Sequence, residues 1–541
     1  MDIAAFAENV ESGDAKSISK IENAPVDEGR GEIVEDDLKA APIQIERQTG
    51  VDACYAEKAH LVSHAMTNIG MNWWQYEVWI LCGFGWIVDN IAGYGLTVTY
   101  TPVGNEFVIS NVTLTGISYS IGAVVGAFFW GPMADIIGRY WAFNSTLFLV
   151  GIFLIAAGGS NDIYTYGGMF AMVGFASGGN VPVASVVYLE FVPTSGHYLL
   201  TMLSAFWALG ALADALIGWA FISKYSCDLT VSDLCLKADN MGWRYTLFTL
   251  GALVLVLAAV RFFVFDFPES PYYLLAQGRD EEAVKVVEII AKRSKRPFTL
   301  QLDDFNEINR RYGRDEHSAS VKRSFKEIFF LQFQSLHWSN LKPLFGTGKL
   351  ALQSAIIMWI WASIGVAYPL YSYFLPVYLQ ARFSAIDPTY TLASTYQQYC
   401  YIAACTVPGP VLAGLLVETR LGRRYTMAIG TVISGVFLCI SVVAARTNEA
   451  VVAWNCVSTL VINFMFAIQY AYTPESYPST IRATVNGLCA TIGYACGIAA
   501  PVISSQSGTT TSIPIWISAG LFLFTGLVMF ALPYDVHKEG I

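Results

Sequence analysis

Long runs of mostly apolar residues, separated by polar connections, dominate the chain. A helix needs ~20 mostly apolar residues to cross the hydrocarbon of a bilayer. Twelve stretches meet that need: 78–100, 108–134, 142–160, 164–189, 199–222, 246–266, 350–380, 394–417, 426–446, 451–472, 483–504 and 513–532. The connections are short except at 267–349. The pattern predicts a tail over 1–70, six helices within 71–266, a hydrophilic linker over 267–349, six helices within 350–532 and a short tail over 533–541.

Residues 1–70 are polar and acidic, as at Glu35-Asp36-Asp37, and show no basic stretch leading into an apolar core. A cleaved signal peptide is therefore not expected. The first part should be disordered, with a short amphipathic helix over 52–71 near the membrane. In the linker, Asp280 to Lys292 places acids first, bases last and apolar residues at 284, 287, 290 and 291. That order suits a helix dipole and a packed face.

Composition agrees with the pattern. Of 541 residues, 54% are hydrophobic and only 14% charged, against about 25% charged in soluble domains. Mean hydropathy is +0.46. So few charges could not coat several soluble cores, and the class left is an all-α polytopic membrane protein. The net charge is −10, and no basic block suggests nucleic acid. Of the 32 Lys and Arg, only Lys224, Lys237, Arg244, Arg382 and Arg446 fall in loops on the side away from the linker. The basic excess predicts a cytosolic linker and cytosolic termini. Among the ten cysteines, only Cys227 and Cys235 share a loop on the oxidising side, so a disulfide is expected there.

Two motifs repeat. Gly131-Pro-Met-Ala-Asp135-Ile-Ile-Gly138-Arg139 follows the second span, and Gly414-Leu-Leu-Val-Glu418-Thr-Arg-Leu-Gly422-Arg423-Arg424 follows the eighth. Asp135 in the first copy corresponds to Glu418 in the second. Glu190-Phe-Val-Pro193 ends the fourth span and Glu475-Ser-Tyr-Pro478 the tenth, so that Glu190 corresponds to Glu475. Both pairs are separated by nearly the same stretch of chain. Two motifs at nearly one offset imply two six-helix halves of the same topology.

These residues resemble the major facilitator superfamily. The likeness covers about residues 70–535. Pro268-Glu-Ser-Pro271-Tyr-Tyr-Leu-Leu275 and Tyr472-Thr-Pro-Glu475-Ser-Tyr-Pro478-Ser-Thr-Ile-Arg482 resemble motifs of its sugar-porter branch. Gly83-Phe-Gly-Trp-Ile-Val-Asp89, Gly178-Gly-Asn-Val-Pro182 and Phe206-Trp207 resemble the synaptic-vesicle-2-related group with its fungal and bacterial relatives. The resemblance implies the twelve-helix fold of two pseudo-symmetric halves and secondary transport by alternating access, coupled to protons in symport. It also departs from that group: Ala184 stands where an acid is common, Gly493-Tyr494 where an Asn-Arg pair is common, and His197 where arginine is usual.

An acid at mid-membrane costs roughly 3 kcal/mol and needs a reason to be there. Asp89, midway along the first span, is the first candidate for proton coupling; in the resembling family the helix-1 aspartate takes that role. Asp214 in the fifth span is the second, provided it faces the cavity. Arg261, near the end of the sixth span, is expected to snorkel. Candidate substrate-binding residues are Asn90, Asn180, Trp207, Tyr371, Tyr373, Gln398, Asn463, Gln469, Tyr470 and Asn486. Asp135, Arg139, Glu190, Glu418, Arg423, Glu475 and Arg482 fall at helix ends on the linker side, and the resemblance makes them a cytosolic gate. None of these carboxylates joins a His, Cys or Ser constellation, so no enzyme is expected. No phosphate-binding loop and no Cys/His metal spacing occurs, so no cofactor and no metal are expected. The expected partners are the lipid bilayer, a proton and a small organic solute — a sugar, an organic or aromatic acid, or an organic cation. The expected state is a monomer in a plasma or vesicle membrane. A uniporter or exchanger, or a transport-poor receptor, stays open as an alternative.

Overall fold

The computed structural model describes residues 53–109, 111–227, 235–263, 265, 267–313, 345, 348–387, 389–417, 419, 421–477, 479–508 and 511–533. Every regular element among them is helical. Ten helices are long and apolar enough to cross a membrane. Trp73–Val98, with more polar residues, takes the first place in the twelve, and the shorter Ile513–Met529 the last.

Several spans are interrupted where the sequence predicts a continuous helix. The fourth breaks at Gly178-Gly179, between Ile163–Ser177 and Asn180–Phe191; the eighth breaks between Leu392–Ala404 and Pro408–Val417. Proline removes a helix donor and glycine weakens a helix, so both breaks fall where the backbone is least held. Such breaks are tolerated at membrane depth where surrounding protein buries them.

Spans 2 and 4 meet almost without side chains. A Cβ at Gly122 would lie 1.9 Å from the Ala171 carbonyl oxygen, and one at Gly174 2.1 Å from that of Tyr119. Small residues let backbones approach this closely, and packing of this kind drives helix association in lipid.

On the linker side, Glu269 fastens the linker to the bundle. Its Oε1 accepts from the Arg139 amide at 2.9 Å, at the start of span 3, where a carboxylate suits the positive helix end. The tight turn before it needs Gly138, whose φ is +98° and whose absent Cβ leaves room for the Glu269 carboxylate. The expected linker helix forms over Asp280–Arg293. Its buried face is Ala283, Val286, Val287, Ile290 and Ala291, so the face turns slightly away from Val284. The expected helix near the membrane forms over Ala53–Ile69. Its Lys58 pairs with Asp280 and its Glu57 with Arg311, at 2.6 Å, so it docks on the linker helices.

Arg261 does not snorkel. It is buried, and its guanidinium lies over the Phe143 ring. The end of span 6 packs on span 3, so an aromatic face takes the place of solvent.

Cys227 and Cys235 are bonded, as expected. On that same side a buried brace closes the first half. Both terminal guanidinium nitrogens of Arg244, Nη1 and Nη2, donate to Glu106, each at 2.8 Å, and Trp243 Nε1 donates to it at 2.9 Å. Asn240 ties the brace to the Pro102 carbonyl at 2.7 Å. Glu106 lies beyond the end of the first span. Burial pushes its carboxyl up, but the Arg244, Trp243 and Asn240 contacts outweigh this and hold it below the usual range. A group with a depressed pKa in the fold stabilises above its unfolded pKa, ~4.3 for Glu, and loses that contribution as pH falls through the lower folded value. The brace should therefore survive ordinary glutamate titration and fail only at stronger acid. Glu106→Gln should cost roughly 3 kcal/mol, because it strands a buried arginine. Thermal unfolding in detergent across pH checks both: the wild-type advantage should hold at neutral pH and shrink below the ordinary glutamate range.

Candidate functional site

A cavity of about 80 Å³ lies between the halves, lined by spans 1, 2, 5, 7, 10 and 11. That volume holds a few waters or one small ring. Eight aromatic rings surround it: Tyr119, Trp207, Trp361, Tyr368, Tyr373, Phe466, Tyr470 and Tyr494. Its polar side chains, besides tyrosine hydroxyls and the Trp207 and Trp361 indoles, are Asp89, Ser120 and Gln469. No Lys or Arg lines it among the described residues.

Span 1 places Asp89 on the wall. Trp207 Nε1, from span 5, donates to Asp89 Oδ2 at 3.3 Å, and Oδ1 has no hydrogen-bond partner. Gln469 Oε1 is likewise buried without a partner. Buried polar atoms are normally paired, so two orphan acceptors at one cavity mark where a donor would sit.

Aromatic contacts line the approach to the cavity from both sides. Toward the linker side, Tyr470 packs edge-on against Trp86 and Trp361, with centroids 5.1 and 4.9 Å apart, and Trp361 Nε1 donates to Thr473 at 2.9 Å. Toward the disulfide side, the Tyr94 and Tyr368 hydroxyls meet at 3.0 Å, and Tyr100 stacks on Phe374. Further out, Tyr396 donates to the Val98 carbonyl at 2.5 Å. Each pair on the disulfide side joins the first half to the second.

Of the candidate residues, Asp89, Trp207, Tyr373, Gln469 and Tyr470 come together in this cavity. The others sit outside its wall. Asn90 donates to the Trp207 carbonyl at 2.6 Å, joining spans 1 and 5. Asn180 donates to the Gly85 carbonyl at 2.8 Å, joining spans 4 and 1. Tyr371 donates to Asn455 at 2.8 Å, and Asn463 to its own helix at Thr459. Asn486 is buried, Gln398 meets Tyr390 away from the cavity, and Asp214 lies off it. In lipid, an amide bonded to backbone is a packing device as readily as a ligand, and sequence alone does not separate the two. Tyr119, Trp361, Tyr494 and Phe466 escaped the sequence reading, although Gly493-Tyr494 stood out as a departure at the cavity. Of the other two departures, Ala184 is buried in packing instead.

The repeated charges pair as the repeat does. Arg139 Nη2 lies 3.5 Å from Glu190, and Arg423 pairs with Glu475. The two arginines correspond between the halves at nearly the same offset as their glutamates. These contacts join neighbouring spans within one half; neither crosses between halves. Glu418 and the side chains of Asp135 and Arg482 lie outside the described residues.

Comparison with known proteins agrees with this geometry. Residues 82–501 match the family model described as Major Facilitator Superfamily. The Major facilitator-type transporter hxnZ of Emericella nidulans is 41% identical over 533 residues, covering 96% of this chain and 95% of its own. The MFS siderochrome iron transporter 1 of Ceriporiopsis subvermispora is 39% identical, covering 90% and 92%. The fold matches the E. coli xylose transporter XylE in a partially occluded inward-open conformation, with a TM-score of 0.64 at 12% identity over 87% of this chain and 100% of that one. With two six-helix halves, a cavity between them and a family match over most of its length, this chain belongs to the major facilitator superfamily and is a membrane transporter.

Proposed function

We propose that this chain carries a small planar aromatic solute together with a proton, by alternating access. The observation that carries the reading is the cavity itself: eight rings around one carboxylate and one free amide oxygen, with no basic side chain. Ring faces stack on planar solutes and edges pack around them. A sugar site would need more hydrogen-bonding groups than this wall offers, and an anion would need a cation beside it. Neither the siderochrome relative nor the xylose-transporting fold match dictates the solute, because one fold hosts many substrates.

Asp89 is the proton carrier in this reading. Protonated, it donates to the solute and adds no charge to a dry cavity. Ionised, it would instead favour an organic cation, whose charge the surrounding rings also attract. The first state gives symport and the second gives exchange. Arg139–Glu190 and Arg423–Glu475 keep each half rigid on the linker side, which this reading takes as cytosolic. With Asp135, Glu418 and Arg482 they form the gate region there. The protein works as a monomer within a plasma or vesicle membrane.

Proteoliposome uptake tests the pairing. A pH gradient, acid outside, should drive accumulation of a pyridine-type amide but not of xylose or of an aromatic carboxylate. Accumulation of an aromatic amine driven by the opposite gradient would mean exchange. Asp89→Asn should abolish gradient-driven accumulation while leaving solute exchange; equal accumulation by this variant would sink the role. Gly93→Ala provides a separate check on the cavity. A Cβ there would lie 2.6 Å from the Tyr373 hydroxyl. The displaced ring should weaken solute binding about tenfold, ~1.4 kcal/mol, with little change in melting temperature.

A further inference from the structure

A second cavity, of about 530 Å³, opens at the linker-side end of the first half. That is the size of a small-molecule site, ~300–1,000 Å³. Span 1 supplies one wall. Trp73, Glu77 and Leu81 recur at every fourth residue, with Trp74 and Val78 beside them, so all share one helix face. Phe265 and Phe267, in the segment leaving span 6, and Arg293, at the end of the linker helix, supply the other. Phe191, from span 4, fixes the separation of the two walls. Its ring packs edge-on against Trp74 at 5.7 Å and against Phe267 at 4.7 Å.

Span 1 begins at Trp73 and span 6 ends at Phe263, so the cavity lies where the first half leaves the bilayer. Trp73 is 74% exposed and Phe263 80%. Aromatic rings at this level belong to the boundary between hydrocarbon and water, where lipid covers them. The cavity therefore borders on lipid headgroups. Its own charges are one of each sign, Arg293 and Glu77. No hydrogen bond or ion pair engages the Glu77 carboxylate among the described residues. A headgroup that matches this wall carries one cation and one phosphate. Among the described residues lining the cavity, Glu77 is the one side-chain acceptor; the others are apolar or donors. A primary ammonium, with its several N–H groups, would be left short of acceptors there. A quaternary ammonium has no N–H to satisfy, and ring faces attract it.

We propose that this cavity holds the headgroup of a choline phospholipid, its trimethylammonium beside Glu77 and the tryptophan rings and its phosphate on the Arg293 guanidinium. The acyl chains then leave past Trp73, on the bilayer side. A headgroup so held joins the start of span 1 to the end of the linker helix. It fastens the linker to the first half at a second place, besides the contact of Glu269 with span 3. The site shares no lining residue with the central cavity, so it stands whatever solute is carried.

Native mass spectrometry of the full chain, delipidated in detergent, tests this by titration with phosphatidylcholine, phosphatidylethanolamine and phosphatidylglycerol of the same acyl chains. One phosphatidylcholine should bind about tenfold more tightly than either other lipid. Glu77→Gln should lower its affinity about tenfold and raise that of phosphatidylglycerol, because the wall is then net positive. Arg293→Gln should weaken all three, since each carries a phosphate. Trp73→Leu keeps apolar bulk at an exposed position but removes the ring, so phosphatidylcholine should weaken, phosphatidylethanolamine should not, and the lipid-free melting temperature should stay. A merely structural role would not exchange one lipid preference for another. Equal affinity of the wild type for the three lipids, or its preference unchanged in Glu77→Gln and Trp73→Leu, would overturn the proposal. Soluble phosphocholine binding as tightly as the lipid would also overturn it, because the ligand would then come from solution.

Discussion

A polar group in hydrocarbon must find its partner inside the protein or be left wanting one. Most buried polar side chains of this bundle obey the first branch. Glu106 is wrapped by Arg244, Trp243 and Asn240. Arg423 is paired with Glu475. Asn90 and Asn180 spend their donors on backbone carbonyls of neighbouring spans. Such groups are consumed in holding the bundle together. The second branch includes Asp89 Oδ1, Gln469 Oε1, both oxygens of Asp214 and, within the first half, all three guanidinium nitrogens of Arg261. Of these, Asp89 and Gln469 line the cavity between the halves, where what packing has left unsatisfied is within reach of a solute.

The same distinction sorts rigid parts from moving ones. Arg139–Glu190 and its repeat Arg423–Glu475 lie within halves, as does the Glu106 brace. The contacts that cross between halves on the disulfide side are aromatic and hydroxylic: Tyr94 with Tyr368, Tyr100 with Phe374, Tyr396 with the Val98 carbonyl. Breaking these strands no charge, whereas breaking a buried ion pair would cost several kcal/mol. An assembly built this way parts between its halves more readily than within them.

Fold and halves were legible because long apolar runs and a pair of motifs repeated at one offset are one-dimensional signals. The cavity was only partly so. Asp89 announces itself, since an acid inside an apolar run stands out against every neighbour. Trp361 and Tyr119 do not, because a membrane helix carries many aromatic residues and its period does not say which face meets the other half. Asn180 and Asn463 illustrate the opposite case. A mid-span amide looks functional, and only three-dimensional proximity shows that a backbone carbonyl has already claimed it. Glu106 fell between two spans, where an acid beyond a helix end raises no question until Arg244 is seen beside it.

The bare contact between spans 2 and 4 leaves the molecule no slack. A methyl group at Gly122 or Gly174 would meet backbone, not a side chain that could swing aside. The helices would have to separate. Span 4 carries Asn180 toward span 1 and Glu190 toward span 3, so a shift at the glycines would be felt at both. Spans 2 and 4 therefore behave as one plate with a fixed thickness, and a change on the plate's inner face moves everything mounted on its edges. Substitutions far from the cavity, conservative by size, could thus silence the transporter by warping the frame on which its walls are hung.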